Sequence, residues 1–238
     1  NTTTLLTYSA FFNRDASHKS IVNINGVSRV FDYHNQKQAF NFEQTSYLET
    51  FNQYVYQGVL HIWIGIDHIL FLIVLACVYI FRQWTKLIWL VTLFTIGHSI
   101  TLALSAYGII NVRADLVEFL IPLTIFITGL MNIFTAKKAS QGKENQNLFF
   151  ALFFGLVHGL GFSNYFKMMI GRNEDKLFPL LEFALGVEVA QIIIVLIILL
   201  IGALFQGIFN VSRRDWILVA SAIVAGFAAQ MMINRVFW

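Results

Sequence analysis

The chain has 238 residues, of which 57% are hydrophobic and only 12% are charged. Soluble globular domains carry a charge on roughly a quarter of their residues, so this composition excludes an ordinary soluble protein and predicts one that crosses a membrane several times. The net charge of +3 requires no nucleic-acid partner, because basic residues collect in the loops beside membrane spans.

Residues 1–50 differ from the rest of the chain, since they are polar and contain no membrane span. Two β-rich runs, Ser20–Ile24 and Val27–Tyr33, flank the dipeptide Asn25-Gly26, which is the strongest short signal for a hairpin turn. We therefore expect a small β element in this segment. Two strands alone are marginally stable in water, so we expect the element to pack on the membrane domain or on a protein partner.

Six apolar segments follow, each near the 20 residues that cross about 30 Å of hydrocarbon. We expect all six to be helices, because in lipid the backbone must satisfy its own hydrogen bonds. The predicted fold is an all-α polytopic membrane protein with six transmembrane helices, preceded by the small β element. Within a domain of residues 51–238, the segments cover about 54–81, 87–110, 115–136, 147–170, 178–206 and 216–236.

The loops between these segments alternate in charge. Seven basic residues lie in or beside the first, third and fifth connections: Arg82, Lys86, Lys137, Lys138, Lys143, Arg213 and Arg214. The second and fourth connections hold Arg113, Arg172 and Lys176. By the positive-inside rule the odd connections face the cytoplasm, which places both termini and the β element outside it.

Three ionisable side chains, His61, Asp67 and His68, lie inside the first apolar segment. Such residues are costly near a bilayer centre, at about 2.5–3.5 kcal/mol each on insertion scales, so they are expected to face a protein interior or a wet cavity. On a continuous helix His61 and His68 share one face, with Gly65 between them and about 10 Å along the axis separating the two imidazoles. One helix cannot close a metal shell, so other helices must supply ligands.

The later segments do contain further polar side chains. They are His98, Ser99, Thr101, Glu118, His158, Ser163, Glu182, Glu188, Gln191, Gln230 and Asn234. Under the predicted topology these groups fall in the outer half of the membrane, where we expect one polar cavity entered from the extracytoplasmic side. Glu118, Gln230 and Asn234 are expected near its entrance or at the interface.

Four histidines and several carboxylates in one slab are typical of a divalent metal site, since neutral imidazole suits Zn, Cu, Fe and Ni. The predicted ligands are His61, Asp67, His68, His98, His158 and Glu188, with Ser99, Glu182 and Gln191 as supporting polar groups. Broken helices are common in transporters. The glycines of the fourth segment, at 155, 159 and 161, are the strongest candidates for a break and for a close approach of neighbouring helices.

The pattern from His61 to Asp67-His68 resembles the first-helix motif of the HupE/UreJ family, membrane proteins regarded as nickel or cobalt permeases. Phe94-Thr95-Ile96-Gly97-His98-Ser99 is similar to a signature of the wider nickel/cobalt transporter superfamily. The run from Phe153 to Gly161 is similar in part to the family's fourth-helix motif, with Phe154 and Gly161 where that motif has His and Glu. The resemblance covers residues 54–238, and the polar N-terminal segment resembles a branch with an extracytoplasmic extension.

Three functions remain open at this point. The first is a permease or metal-binding membrane protein for a divalent ion such as Ni, Co or Zn. The second is an intramembrane metal-dependent hydrolase, with Asp67 or Glu188 as the base and Ser99 orienting the substrate. The third is a non-catalytic subunit of a larger membrane complex, with protein contacts through residues 1–50. All three place the chain in the lipid bilayer, and we expect a bacterial inner membrane.

Overall fold

The computed structural model describes residues 3–7, 20–24, 27–31, 37–41, 47–136, 144–170 and 175–236. These residues form four short strands followed by seven α-helices. The helices are α1 (Tyr47–Ile64), α2 (Ile66–Ala76), α3 (Trp84–Ala106), α4 (Ala114–Thr135), α5 (Glu144–Ile170), α6 (Leu177–Gly207) and α7 (Arg213–Asn234). A short 3₁₀ helix, Phe81–Gln83, leads into α3.

The strands lie in two antiparallel pairs, β1 with β4 and β2 with β3. Their bounds are β1 (Thr3–Thr7), β2 (Ser20–Ile24), β3 (Val27–Phe31) and β4 (Lys37–Asn41). β2 and β3 follow the two β-rich runs, while the Asn25-Gly26 turn and residues 32–33 lie outside the described residues. β1 and β4 are not among the predicted strands, because no local turn signal marks a pair that closes around the whole segment.

The first predicted span is not one continuous helix. α1 ends at Ile64, α2 begins at Ile66, and the two axes differ in direction by 72°. Gly65 between them has φ −74° and ψ 92°, an extended conformation that interrupts the helix. The expectation of one helix over 54–81 is therefore wrong. The expected position of a break is wrong as well, because α5 runs without interruption from Glu144 to Ile170.

Four helices in the described part of the chain are long and apolar enough to cross a membrane, namely α3, α4, α6 and α7. The bent pair of α1 and α2 raises this number to five if it is counted as one span. The helix at the fourth predicted segment, α5, is formed but is not among these candidates. The described residues of 47–236 thus form a helical membrane domain with four to five candidate spans.

Glycines bring three pairs of helices into close contact. A methyl group added at Gly186 of α6 would overlap the carbonyl oxygen of Val55 on α1, and one at Gly155 of α5 would overlap that of Phe94 on α3. At Gly129 of α4 an added Cβ would lie 3.2 Å from the carbonyl oxygen of Ser221 on α7. Small residues permit this backbone approach between helices, as membrane helix packing requires.

α2 occupies the centre of the helical domain, where it packs against α4, α6 and α7. Its side chains divide between the two apolar cores, with Leu72 in one core and Phe71 and Val74 in the other. Its 11 residues extend only about 16 Å, roughly half of a bilayer's hydrocarbon thickness. Its first turn lies next to the end of α1, where Ile66 is exposed and His68 is buried.

Candidate metal centre

Four histidines from four helices meet beside the break at Gly65. His61 lies in the last turn of α1, His68 in the first turn of α2, His98 in α3 and His158 in α5. The ring centroid of His68 is 4.5 Å from that of His61, 5.9 Å from that of His98 and 5.4 Å from that of His158. His61 and His98 are 5.6 Å apart. We call this group the histidine cluster.

The bend between α1 and α2 creates half of the cluster. Seven residues of continuous helix would separate His61 from His68 by about 10 Å along the axis. The 72° change of direction at Gly65 instead brings the two rings into edge contact. The predicted separation on a single helix is therefore wrong, and the two histidines do lie together.

Close packing of α3 against α5 supplies the other half. An added Cβ at Gly97 would overlap the carbonyl oxygen of Leu152, and one at Gly159 would overlap that of His98. This agrees with the prediction that the glycines around His158 allow a neighbouring backbone to approach. Gly161 differs, because an added Cβ there would meet the side chain of Ile121 on α4 at 2.7 Å.

The spacing of the rings is wider than that of ligands sharing one ion, except for one pair. With a metal–nitrogen distance of about 2.0–2.1 Å, a bound imidazole places its ring centroid about 3.2 Å from the ion, so two ligands at 90–109° lie about 4.5–5.2 Å apart. The separation of His61 and His68, 4.5 Å, lies in this range. The other three separations, from 5.4 to 5.9 Å, exceed it.

The ring nitrogens of the histidine cluster do not point toward one common position. Among the described residues, no three His, Cys, Asp or Glu side chains converge with the geometry of a metal site. His68, for example, stands at 68° to the His61 ring. Occupation by a metal would therefore require the imidazoles to turn about their side-chain bonds.

Most nitrogens of the cluster are buried without a hydrogen-bond partner. These are Nε2 of His61, both ring nitrogens of His68 and of His98, and Nε2 of His158. The side chains of His98 and His158 are each only 1% exposed. Buried polar groups in proteins are almost always hydrogen-bonded, and each one left unsatisfied costs about 1–3 kcal/mol. Packing alone does not explain so many exceptions in one place.

His158 is held in an orientation that suits a metal ligand. Its Nδ1 lies 2.9 Å from the carbonyl oxygen of Phe154, one turn earlier in α5, and a carbonyl oxygen only accepts. Nδ1 must therefore carry the proton, which leaves the lone pair on Nε2. A backbone carbonyl that fixes the tautomer in this way is the usual outer-shell partner of a metal-binding histidine.

Aromatic side chains enclose the cluster. Phe162 packs over His61 with 4.0 Å between centroids, and Phe94 and Phe71 contact His158 at 5.1 and 5.4 Å. Phe183 of α6 completes the wall on the His61 side at 5.6 Å. This apolar shell lowers the local dielectric and so strengthens electrostatic interactions within the cluster.

Asp67 does not join the histidines, although it precedes His68 directly. Its Oδ2 accepts a hydrogen bond from Nη1 of Arg235, at the end of α7, over 3.1 Å. The same Arg235 nitrogen also contacts the backbone carbonyl of Glu118 at 3.4 Å. The structure thus assigns the predicted ligand Asp67 to an ion pair between α2 and α7.

Glu188 lies apart from the cluster in hydrogen bonds to α3. Its two carboxylate oxygens accept from the hydroxyls of Thr92 and Thr95, each over 2.5 Å. Thr95 also contacts Oε1 of Gln191 at 2.9 Å. Glu188 and Gln191 therefore act on the same face of α6, as their spacing predicts, but their partners are threonines rather than histidines.

The remaining predicted polar residues take separate positions. Glu182 is buried near the start of α6 and interacts with Tyr47 at the start of α1. Ser99 follows His98 on α3 and is half-buried, while the side chains of Glu118, Gln230 and Asn234 are exposed. Neither a hydrogen bond nor an ion pair joins a carboxylate to the histidine cluster in the part of the chain that the structure describes.

Two contributions escape the sequence reasoning. Arg235 is one, and its only local signal is a positive charge at the C-terminal end of the last apolar segment. Thr92 and Thr95 are the other, three apart on α3 and therefore on one face of the helix. Threonine is common in membrane helices as a packing residue, so neither hydroxyl stands out before its partner on α6 is known.

Comparison with known proteins identifies a family for most of the chain. The family model described as HupE / UreJ protein matches residues 36–235. No curated protein and no solved structure matches the chain. The match begins within the N-terminal segment and includes all seven helices in full. The chain therefore belongs to the HupE/UreJ family.

Proposed function

We propose that this protein binds a divalent transition-metal ion at the histidine cluster and carries it across the membrane. The observation that carries this proposal is a cluster of three buried imidazoles and one half-buried imidazole, from four helices, in which six ring nitrogens have no hydrogen-bond partner. One ion can bind one nitrogen of each ring, so coordination would satisfy up to four of these six atoms. In this function the ion is the substrate, not a permanent cofactor.

The chemistry of the ligands narrows the choice of ion. Neutral imidazoles favour Ni, Co, Zn and Cu over Mg and Ca, which prefer oxygen. Within that set, the motifs shared with the HupE/UreJ permeases favour nickel or cobalt. A site built from neutral ligands leaves the charge of the ion uncompensated. Weak binding of this kind suits transport, because a transported ion must leave again.

The position of the cluster fits a site reached from one side of the membrane. If the bent pair is counted as one span and α5 as another, the chain has six spans, and the positive-inside rule predicts that both termini lie outside the cytoplasm. In this arrangement the break at Gly65, and the cluster with it, lies in the outer half of the membrane. Discontinuous helices at the substrate site are a recurring feature of transporters.

The hydrolase alternative requires a carboxylate base at the metal. The two candidates for that base, Asp67 and Glu188, are bonded to Arg235 and to two threonines. No observation therefore favours the hydrolase, and none specifically favours a subunit without ion binding. Both alternatives become outcomes of the metal measurement below.

The test is metal binding and uptake by purified protein. Wild type, the double variant His61→Ala/His68→Ala and the control His34→Ala are compared for Ni²⁺ and Co²⁺ binding in detergent, and for uptake of labelled ions into proteoliposomes. We expect wild type and His34→Ala to bind and transport, and the double variant to lose both. His34 is a matched control because it is a histidine of the polar N-terminal segment.

Three results would redirect the proposal. Unchanged uptake in the double variant His61→Ala/His68→Ala would exclude the histidine cluster as the transport site. Stoichiometric zinc that survives purification would favour the hydrolase. Equal metal content in wild type and the double variant would favour a subunit that does not use metal.

A further inference from the structure

We infer that a second site, separate from the histidine cluster, binds a monovalent alkali cation, with Na⁺ as the probe. Its residues are Thr92 and Thr95 of α3 and Glu188 and Gln191 of α6, which we call the threonine–glutamate site. Thr95 is three residues before His98, a rise of about 4.5 Å along α3, so the two sites are neighbours on one helix. The inference does not depend on metal binding by the histidines.

The closely spaced oxygens of the threonine–glutamate site have too few hydrogens to satisfy one another. Five side-chain oxygens meet in this site, and only the two threonine hydroxyls supply hydrogens to them. Thr95 Oγ1 lies 2.5 Å from Glu188 Oε2, 2.9 Å from Gln191 Oε1 and 3.2 Å from the carbonyl oxygen of Val91. A single hydroxyl hydrogen cannot serve three acceptors.

Turning the side-chain amide of Gln191 would supply a hydrogen to Thr95 but would leave another buried atom without a partner. The assignment of the amide oxygen and nitrogen is set by the hydrogen-bond network, so the reverse orientation must be considered. Gln191 is fully buried, and its Nε2 has no partner as placed. The turned amide would give Thr95 a donor but would put Oε1 in the same unpartnered position. Either orientation leaves a buried amide atom unsatisfied.

The negative charge of Glu188 is a second reason to expect a bound cation. In the part of the chain that the structure describes, no basic side chain bonds to Glu188, whose hydrogen bonds come from Thr92 and Thr95. An ionised carboxylate among membrane helices is costly unless another charge compensates it. A monovalent cation neutralises one carboxylate, whereas a divalent ion would leave an excess positive charge.

The chemical type of the ligand atoms is a third reason to expect an alkali cation. Carboxylate, hydroxyl and amide oxygens without any nitrogen are the ligands of hard cations, in contrast to the imidazoles next to them. A cation placed among these oxygens would let each hydroxyl keep its hydrogen for one bond. The imidazoles therefore suit a transition metal, and the oxygens of the threonine–glutamate site suit an alkali cation. This arrangement would allow one ion to affect the binding of the other through α3.

The experiment measures thermal unfolding of the detergent-purified protein with transition metals removed. NaCl replaces N-methylglucamine chloride at constant ionic strength, and KCl and LiCl serve as parallel titrations. For wild type we expect the unfolding temperature to rise with Na⁺ and to saturate. Glu188→Gln and Thr95→Val should each raise the Na⁺ concentration at half effect by about tenfold or more, since each removes a charged or hydroxyl ligand.

Two control proteins make the result specific. Thr101→Val removes a hydroxyl of α3 that bonds only to the carbonyl oxygens of Gly97 and His98, and it should keep the wild-type Na⁺ response. The double variant His61→Ala/His68→Ala should keep it as well, which separates this inference from the proposed metal transport.

Three outcomes would overturn the inference. They are a wild-type protein without a saturable Na⁺ response, a response that persists unchanged in both Glu188→Gln and Thr95→Val, and a response to pH with none to any alkali cation. The last outcome would mean that Glu188 is compensated by a proton alone. Two independent variants are used because one of them can fail to fold.

Discussion

Asp67 and His68 are adjacent in sequence, yet their side chains serve different partners. His68 points into the histidine cluster, while Asp67 reaches Arg235 at the end of α7. Adjacent residues on a helix point about 100° apart, so this divergence follows from helix geometry. The identity of the partner does not, because Arg235 lies 168 residues away in the sequence.

The Asp67–Arg235 pair gives a prediction at the scale of single residues. Asp67→Asn should leave nickel affinity within about threefold of wild type while lowering stability by about 1–3 kcal/mol, since it removes a charge-assisted hydrogen bond rather than a ligand. Nickel titration and detergent-unfolding measurements check the two effects. Arg235→Gln should match Asp67→Asn, and the double variant should cost less than the sum of the two.

A loss of nickel affinity in Asp67→Asn that is absent in Arg235→Gln would contradict this assignment. It would return Asp67 to the role of a metal ligand, as the spacing of the motif first suggests. The pair thus separates the two interpretations of the Asp-His dipeptide.

The sequence reveals the histidines more readily than their arrangement. His61, His68, His98 and His158 stand out because imidazoles are rare in apolar segments, and the structure brings all four together. The acidic residues stand out for the same reason, but Asp67 and Glu188 find other partners. Rarity identifies a polar side chain with a role, whereas only the tertiary contacts show which role.

At the scale of elements, the break between α1 and α2 is the main difference from the prediction. Hydropathy does not predict this break, because Ile64 and Ile66 continue the apolar run on both sides of Gly65. A single glycine in a helical pattern weakens the helix by only about 1 kcal/mol, so its presence alone does not predict a break. The bend becomes stable because it lets α2 bury its side chains between α4, α6 and α7.

Replacement of Gly65 tests whether the bend shapes the cluster. An added Cβ would lie 2.7 Å from Nδ1 of His68 and 2.7 Å from the carbonyl oxygen of His61. Gly65→Ala should therefore displace His68 and weaken nickel binding by about tenfold or more, as misplaced ligands do. The titration should be accompanied by circular dichroism to show that the helices persist.

Gly226→Ala in α7 is the matched control, because an added Cβ there meets no atom within 4 Å. It should keep wild-type affinity and stabilise the helix by up to about 1 kcal/mol. Equal nickel affinity in Gly65→Ala and Gly226→Ala would contradict the role given to the bend.

The contact between α1 and α6 gives a second prediction for an element. Gly186→Ala would force a methyl group against the carbonyl oxygen of Val55, and a backbone atom cannot move away by changing rotamer. We expect a loss of about 3 kcal/mol or more, at the upper end of overpacking effects. Unfolding in increasing SDS measures it, with Gly207→Ala, whose added Cβ has open space, as the control.

A result for Gly186→Ala within about 0.5 kcal/mol of Gly207→Ala would show that the two helices separate at little cost. It would also remove the reason for treating α1 as fixed to α6.

At the scale of the whole molecule, composition and segment length predict the class of protein well. The helices begin and end within a few residues of the apolar segments, apart from the divided first one. The number of spans is less certain from hydropathy, because α5 contains His158, Asn164 and Lys167 and is not a candidate span by length and apolarity. Polar residues that serve a site weaken the very signal that identifies a span.

The orientation of the domain gives a prediction for the whole molecule. Cys77 is the only cysteine, so Cys77→Ala provides a background for single-cysteine variants. Asn111→Cys, between α3 and α4, should react in intact cells with a maleimide that cannot cross membranes. Phe209→Cys, between α6 and α7, should react only after permeabilisation, because the positive-inside rule places that connection in the cytoplasm.

Both positions are exposed, so permeabilised cells should label the two variants equally. Labelling of Phe209→Cys but not of Asn111→Cys in intact cells would invert the orientation. Labelling of both in intact cells would contradict an odd number of spans between the two positions.

The break at Gly65 has a mechanical consequence for the cluster. His98 and His158 lie on α3 and α5, whose backbones are in close contact at glycines, so helix packing fixes the positions of these two residues. His61 and His68 lie on opposite sides of one extended residue, so their spacing depends on the backbone angles of Gly65. Because α1 is packed against α6 at Gly186, and α2 against α4, α6 and α7, the helix contacts on both sides of Gly65 set the distance between these two imidazoles.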